Sequence, residues 1–211
     1  MPSVETLIVF TIAAMVLNIS PGPSNLYVMA RSVAQGPRAG VIAAFGLAGG
    51  AMLHTAAAAV GLSALVMASA EAFTTLKWVG AGYLIWLGVS HWRAARTAQV
   101  SVERPAPRPL PVIFRQSVLV EVLNPKTALF YLALLPQFVD PAAGSVVMQS
   151  LVLGGIATVT AIPCDALVAV ASGSVSRRMA ASPWIARAQE RVSGTLLIGL
   201  GGAVALGERP E

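Results

Sequence analysis

The chain has 211 residues, 56% of them hydrophobic and 11% charged, with a mean hydropathy of +0.74. A soluble domain carries about 25% charged residues, so the composition excludes one and indicates an all-α integral membrane protein, long enough for about six spanning helices with short loops. The net charge of +5 does not indicate a nucleic-acid partner, because the basic residues lie in loops between apolar runs, as the positive-inside rule expects.

Residues Met1 to Glu5 lack the positive flank of a cleavable signal peptide, so the first apolar run is expected to be retained. That segment runs from about Val4 to Ala30 and contains Asn18-Ile19-Ser20-Pro21-Gly22-Pro23-Ser24-Asn25. Proline disfavours helix at the residue before it and lacks an N–H. Ser20-Pro21 therefore reads as an N-cap followed by the first residue of a new half-helix. Arg31 to Arg38, with Gly36-Pro37, reads as a loop.

Segment two spans about Ala39 to Ala70. Ala43, Gly46, Gly50, Ala57 and Gly61 fall on one helical face, a stripe that lets helix backbones approach closely. His54 lies on that stripe, as a packing residue or a proton relay. A brief loop at Glu71 to Thr75 leads to segment three, about Leu76 to Trp92. The basic, proline-rich stretch at 93–110 follows and reads as a cytoplasmic linker between a first half, 1–92, and a second, 111–211, of one transmembrane domain. No aromatics interleave with its arginines, as stacking on nucleic acid would require.

Segment four, about Pro111 to Val139, carries Glu121-Val122-Leu123-Asn124-Pro125-Lys126-Thr127. Asn124 is the expected N-cap of a second half-helix, with Pro125 at its first position. Its free N–H groups and positive dipole end then lie at membrane depth, beside the full charge of Lys126. A lone Lys at a helix centre costs roughly 2.5–3.5 kcal/mol, so an anionic partner is expected there. Two interrupted hydrophobic segments in matching positions of two halves point to a transporter's binding site.

Segment five, about Val146 to Val175, holds Pro163 and Asp165, with Thr158 and Ser172 one heptad to either side of Asp165 and near the same face. An acidic residue within a span is a functional candidate by default; its structural alternative is a salt bridge to Lys126 or His54. Ser176 to Arg191 reads as a basic loop, and Val192 to Leu206 as a short sixth segment. The loops after segments one, three and five hold eleven of the fourteen Lys and Arg residues. They are expected in the cytoplasm, with both termini on the opposite side. The two three-helix halves then enter the membrane in opposite directions, as a 3+3 inverted repeat requires.

At Ser20-Pro21-Gly22-Pro23, Leu123-Asn124-Pro125-Lys126, Leu135-Pro136-Gln137-Phe138-Val139, Asp165 and Arg191-Val192-Ser193-Gly194, the chain resembles the LysE/RhtB family of bacterial inner-membrane exporters of amino acids and their derivatives. The resemblance covers nearly the whole chain. It implies six helices as a 3+3 inverted repeat, homodimers, and export driven by the proton gradient. Ser24 departs from the acidic residue or Asn that many members carry there.

On this reading the substrate meets Ser20, Pro21, Gly22, Pro23, Ser24, Asn25, Asn124, Pro125, Lys126 and Thr127. The half-helix N-termini suit a carboxylate, with Gly22, Ser24, Lys126 and Thr127 supplying donors. Asp165 suits an ammonium group or the proton exchanged for it, with His54 as a second proton-coupling candidate. No cofactor is expected. With one cysteine, Cys164, and two histidines, neither a disulfide, a metal cluster nor a catalytic constellation is expected. An ion or metal-cation transporter or channel of related fold is the alternative, disfavoured by Lys126.

Overall fold

The computed structural model describes residues 1–19, 22–96, 105–181 and 183–206. Among the described residues, eight α-helices and two short 3₁₀ turns make up the regular structure, with no strand. The first half comprises α1 (Val4–Ile19), α2 (Pro23–Gln35), α3 (Pro37–Ala68) and α4 (Ala70–Ala94). The second comprises α5 (Leu110–Val122), α6 (Pro125–Ala133), 3₁₀ turns at Leu135–Phe138 and Pro141–Ala143, α7 (Val146–Ala181) and α8 (Pro183–Leu206).

Both expected interruptions are present. α1 and α2 meet at a bend of 52°, α5 and α6 at one of 49°. The second has the expected chemistry: Asn124 accepts a hydrogen bond from the Lys126 N–H at 3.0 Å, and Pro125 occupies the first helical position. At the first, Ser20 and Pro21 lie outside the described residues. α2 begins at Pro23 after an extended Gly22 that makes no side-chain cap.

Two helices, α3 and the Val146–Ser172 part of α7, are long and apolar enough to cross a membrane alone, and each bent pair adds one span if it counts as a unit. α4 and α8 have 25 and 24 residues, spanning length at about 1.5 Å per residue. Polar residues such as Glu71 and Lys77 in α4, or Arg187 and Glu190 in α8, interrupt their apolar runs.

Three stretches expected as loops are largely helical. Residues 31–38 shrink to a joint at Gly36, whose φ of +85° suits glycine alone, between α2 and Pro37 of α3. Glu71 to Thr75 form the first turns of α4, because Ser69 caps that helix by accepting from the Ala72 N–H at 3.1 Å. Residues 176–191 belong mostly to α7 and α8. The linker is docked where it is described: the Gln35 side chain pairs with the Arg108 N–H and C=O, each at 2.8 Å, and Arg31 donates to Ala106 O and to Gln116 Oε1 of α5. Residues 97–104 of the linker lie outside the described residues.

α3 packs along α7 and α5, α4 along α8, and α1 and α2 against α7. Of the small-residue stripe, Ala43, Gly46 and Gly50 are buried but Ala57 and Gly61 are exposed. The stripe is used only where α5 lies beside it: a Cβ on Gly46 would sit 2.5 Å from Phe114 O, whereas Gly61 has nothing within 4 Å. Many large apolar side chains, among them Val60, Trp86, Leu123 and Leu167, face outward, as lipid-facing positions do.

The buried apolar residues form two clusters. One joins Phe10, Leu17, Phe130, Leu134 and Leu153; Phe10 meets Phe138 edge-on at 5.1 Å. The other joins Val28, Ala43, Leu47, Ile113 and Ala169. Between them lies a polar cavity that takes Leu17 from the first cluster and Leu47 from the second.

Candidate functional site

The helix breaks create the cavity's polar surface. Where α1 stops, its last carbonyls lose their partners four residues on. Side chains from beyond each break replace them: Lys126 Nζ donates to Leu17 O at 3.2 Å, and Asn25 Nδ2 to Asn18 O at 3.1 Å. Asn18 itself reaches α7, donating to Ala157 O and Thr160 Oγ1. The Lys126 ammonium is thus placed at the C-terminal, partially negative end of α1, where a cation is favoured. Gly22 leaves room for it. A Cβ there would lie 3.1 Å from Lys126 Cδ.

The two breaks touch each other directly. Asn124 Nδ2 donates to Ser24 Oγ at 2.8 Å. Ser24 Oγ in turn donates to Glu121 Oε2, and Thr127 Oγ1 donates to Glu121 Oε1 at 2.8 Å. One carboxylate therefore takes a hydroxyl from the first turn of α2 on one oxygen and from the first turn of α6 on the other. Gly50 of α3 packs on it, because a Cβ at that position would stand 2.6 Å from Glu121 Cβ.

The cavity, open on one side, has a volume of about 50 Å³. The sequence-derived candidates that line it are Gly22, Ser24, Asn25, Asn124, Lys126, Thr127 and Asp165. Pro23 and Pro125 start the half-helices and do not line it. Ser20 and Pro21 lie outside the described residues. His54 stands behind the wall. It donates from Nε2 to Glu121 O at 3.1 Å, and its ring stacks on Tyr131 with centroids 5.8 Å apart.

Asp165 is 8% exposed and, with the buried Thr158 and Ser172, lies on the inner face of α7. The hydroxyls of Thr158 and Ser172 turn back to their own helix, donating to Gly154 O and Ala169 O. Among the described residues, no ion pair within 4 Å joins Asp165 to Lys126 or His54. The pair found there is His91 Nδ1 with Glu190 Oε2 at 2.5 Å, between α4 and α8. Among the described residues no group of His, Cys, Asp and Glu could hold a metal ion.

Sequence reasoning passed over Glu121. The residue opens the interrupted stretch but precedes the break, and nothing local indicates that its side chain folds back onto Ser24 and Thr127. A signal was available. An ionisable residue inside an apolar run is a functional candidate for the same reason Asp165 is. Asn18 was also passed over, although it begins the first interrupted stretch.

A model of the LysE type translocator family matches residues 15–208 of this chain. The chain is 33% identical over 200 residues to a homoserine/homoserine lactone efflux protein of Salmonella typhimurium, covering 93% of this chain and 94% of the relative. It is 31% identical over 206 residues to an uncharacterized membrane protein of Vibrio cholerae, covering 94% and 95%. With a leucine efflux protein of Salmonella choleraesuis it shares 24% identity over 196 residues, covering 93% and 92%. No solved structure matches.

Proposed function

The chain belongs to the LysE type translocator family, and on that premise we propose that it exports amino acids or amino-acid derivatives across a bacterial inner membrane by proton antiport. Family membership makes it a multi-pass membrane transporter rather than an enzyme. The cargo named for its efflux relatives, homoserine, homoserine lactone and leucine, has an amino group in common. The observation that carries the site assignment is the meeting of the two breaks. Ser24 and Asn124, a hundred positions apart, hydrogen-bond beside a cavity that Lys126 and Asp165 also line.

In this reading α1–α2, α3 and α4 form the first three-span half, and α5–α6, α7 and α8 the second. The element order is the same in both halves, the bends are alike, and α3 on α7 and α4 on α8 pair like with like. An inverted repeat produces such pairing. Arg31 of α2, Arg93 of α4, Arg115 of α5 and Arg177 and Arg178 of α7 lie on the cytoplasmic side. Met1 donates from its ammonium to Ala143 O at 2.7 Å, which agrees with N-terminus and 141–143 turn sharing the far side.

The apolar clusters above and below the cavity act as the two gates, parting alternately as the halves rock. Asp165 exchanges a proton for the substrate's amino group, and His54 holds the break through the Glu121 carbonyl. A homodimer is the working assembly.

The test is uptake of labelled homoserine and leucine into inverted vesicles, with and without a proton gradient. Saturable, gradient-dependent uptake is the expected result. Uptake linear in concentration and indifferent to the gradient would favour a channel, and metal cations would be the next panel.

A further inference from the structure

The sequence leads one to expect the half-helix N-termini to receive a substrate carboxylate, with Ser24 and Thr127 among the donors. Both hydroxyls are already engaged. They donate to the two oxygens of Glu121, so the chain's own carboxylate already takes the hydroxyl donors of that seat. The side chain of Lys126 turns away along α1 to Leu17 O. The remaining charged group on the cavity wall is Asp165, 8% exposed, whose carboxylate has no ion-pair partner within 4 Å among the described residues.

We infer that the cavity selects its cargo by a cationic amino group, held by the Asp165 carboxylate opposite Glu121, and does not require a free carboxylate on the cargo. The inference rests on the exporter reading and narrows it to a substrate class: primary amines of amino-acid size, including derivatives whose carboxyl is masked as an ester, amide or lactone.

Three observations carry it. Two acids and one base line the cavity, and the base is directed to the negative end of a helix, so the wall presents a net demand for positive charge. A second carboxylate reaching for the Ser24 and Thr127 hydroxyls would meet the Glu121 carboxylate they already hold, and like charges so placed repel strongly in a low-dielectric interior. A buried carboxylate without a partner is costly, so Asp165 gains most from an ammonium group that supplies up to three donors. The other titratable group nearby, His54, is turned to the Glu121 carbonyl and lies outside the lining. A substrate carboxylate, when present, is then tolerated at the open side of the cavity and adds little to selection.

Equilibrium binding to the detergent-solubilised protein tests this without a gradient, which a permeant weak base would dissipate. The readout is the rise in Tm with L-leucine methyl ester and with N-acetyl-L-leucine, and likewise with homoserine lactone and N-acetyl-L-homoserine. The expected result is a concentration-dependent rise with the ester and the lactone and none with either N-acetyl compound. The rise is lost in Asp165→Asn and at least partly restored in Asp165→Glu, both variants keeping a cooperative transition of their own.

A rise with the N-acetyl compounds, or no rise with the ester and lactone, overturns the inference. Binding of the ester and lactone by a protein that moves no amino acid in vesicles would leave the inference standing and sink the exporter reading, so the two failures are distinguishable.

Discussion

The two helix breaks bend by nearly the same angle, 52° and 49°, yet they are built from different chemistry. At the first, α2 starts at Pro23 after an extended Gly22 that offers no side-chain cap. At the second, Asn124 caps α6 with its side chain and also reaches across to Ser24. The first break contributes neutral groups, Ser24 and Asn25, and the carbonyl end of α1. The ionisable groups on the cavity wall, Glu121, Lys126 and Asp165, all come from the second half. Two breaks of similar angle thus line an asymmetric cavity, in which the second half of the chain supplies charge and the first supplies dipoles that hold it.

That asymmetry can be broken experimentally, and the charged half should give the largest effects. Asp165→Asn should reduce gradient-driven uptake in inverted vesicles to background while the protein still inserts, as a membrane-fraction blot would show. Full uptake in that variant would remove Asp165 from the coupling step.

Glu121→Ala strips the acceptor from two hydroxyls, one at each break. Each orphaned buried donor costs about 1–3 kcal/mol, so a loss of about 3 kcal/mol is expected in denaturant titration of the solubilised protein. Next comes Gly50→Ala, which pushes a methyl into Glu121 Cβ and Val118 O. Overpacking of this kind costs about 1–3 kcal/mol, and a variant as stable as wild type would show that α3 and α5 separate readily.

Asn124→Ala removes a helix cap worth about 1 kcal/mol together with the bond to Ser24. Ser24→Ala, on the neutral side, should be mildest, at about 1 kcal/mol. If Ser24→Ala proved the more damaging of these two, the first break would be the better-supported one and the comparison would have to be reversed.

The breaks were legible because proline acts on the local backbone, whatever the surrounding fold; the capping residue was legible at Asn124, whereas Ser20 lies outside the described residues and α2 starts after a Gly22 with no side-chain cap. Asp165 was legible because a carboxylate in an apolar run stands out on composition alone. Glu121 stands out in the same way and was passed over; what could not be read locally is its partner, a hydroxyl 97 positions away. The interruption singled out Lys126 and the charge in an apolar run singled out Asp165, but their meeting on one cavity wall and the engagement of Lys126 by the Leu17 carbonyl required the fold itself.

Helix ends were misread for a different reason. Arginines mark where a chain leaves the bilayer, not where it stops being helical. α7 therefore continues through Arg177 and Arg178, and α8 starts before Arg187. Ser69, a single capping residue, replaced the whole loop expected between segments two and three.

Lys126 joins the two breaks, since it belongs to the second and binds the end of α1 at the first. The most direct test is therefore labelled amino-acid uptake into inverted vesicles carrying Lys126→Ala, measured beside wild type with a proton gradient imposed. Loss of saturable uptake from correctly inserted protein is the predicted result. Uptake with unchanged KM and maximal rate would contradict the claim that the paired breaks form the transport site.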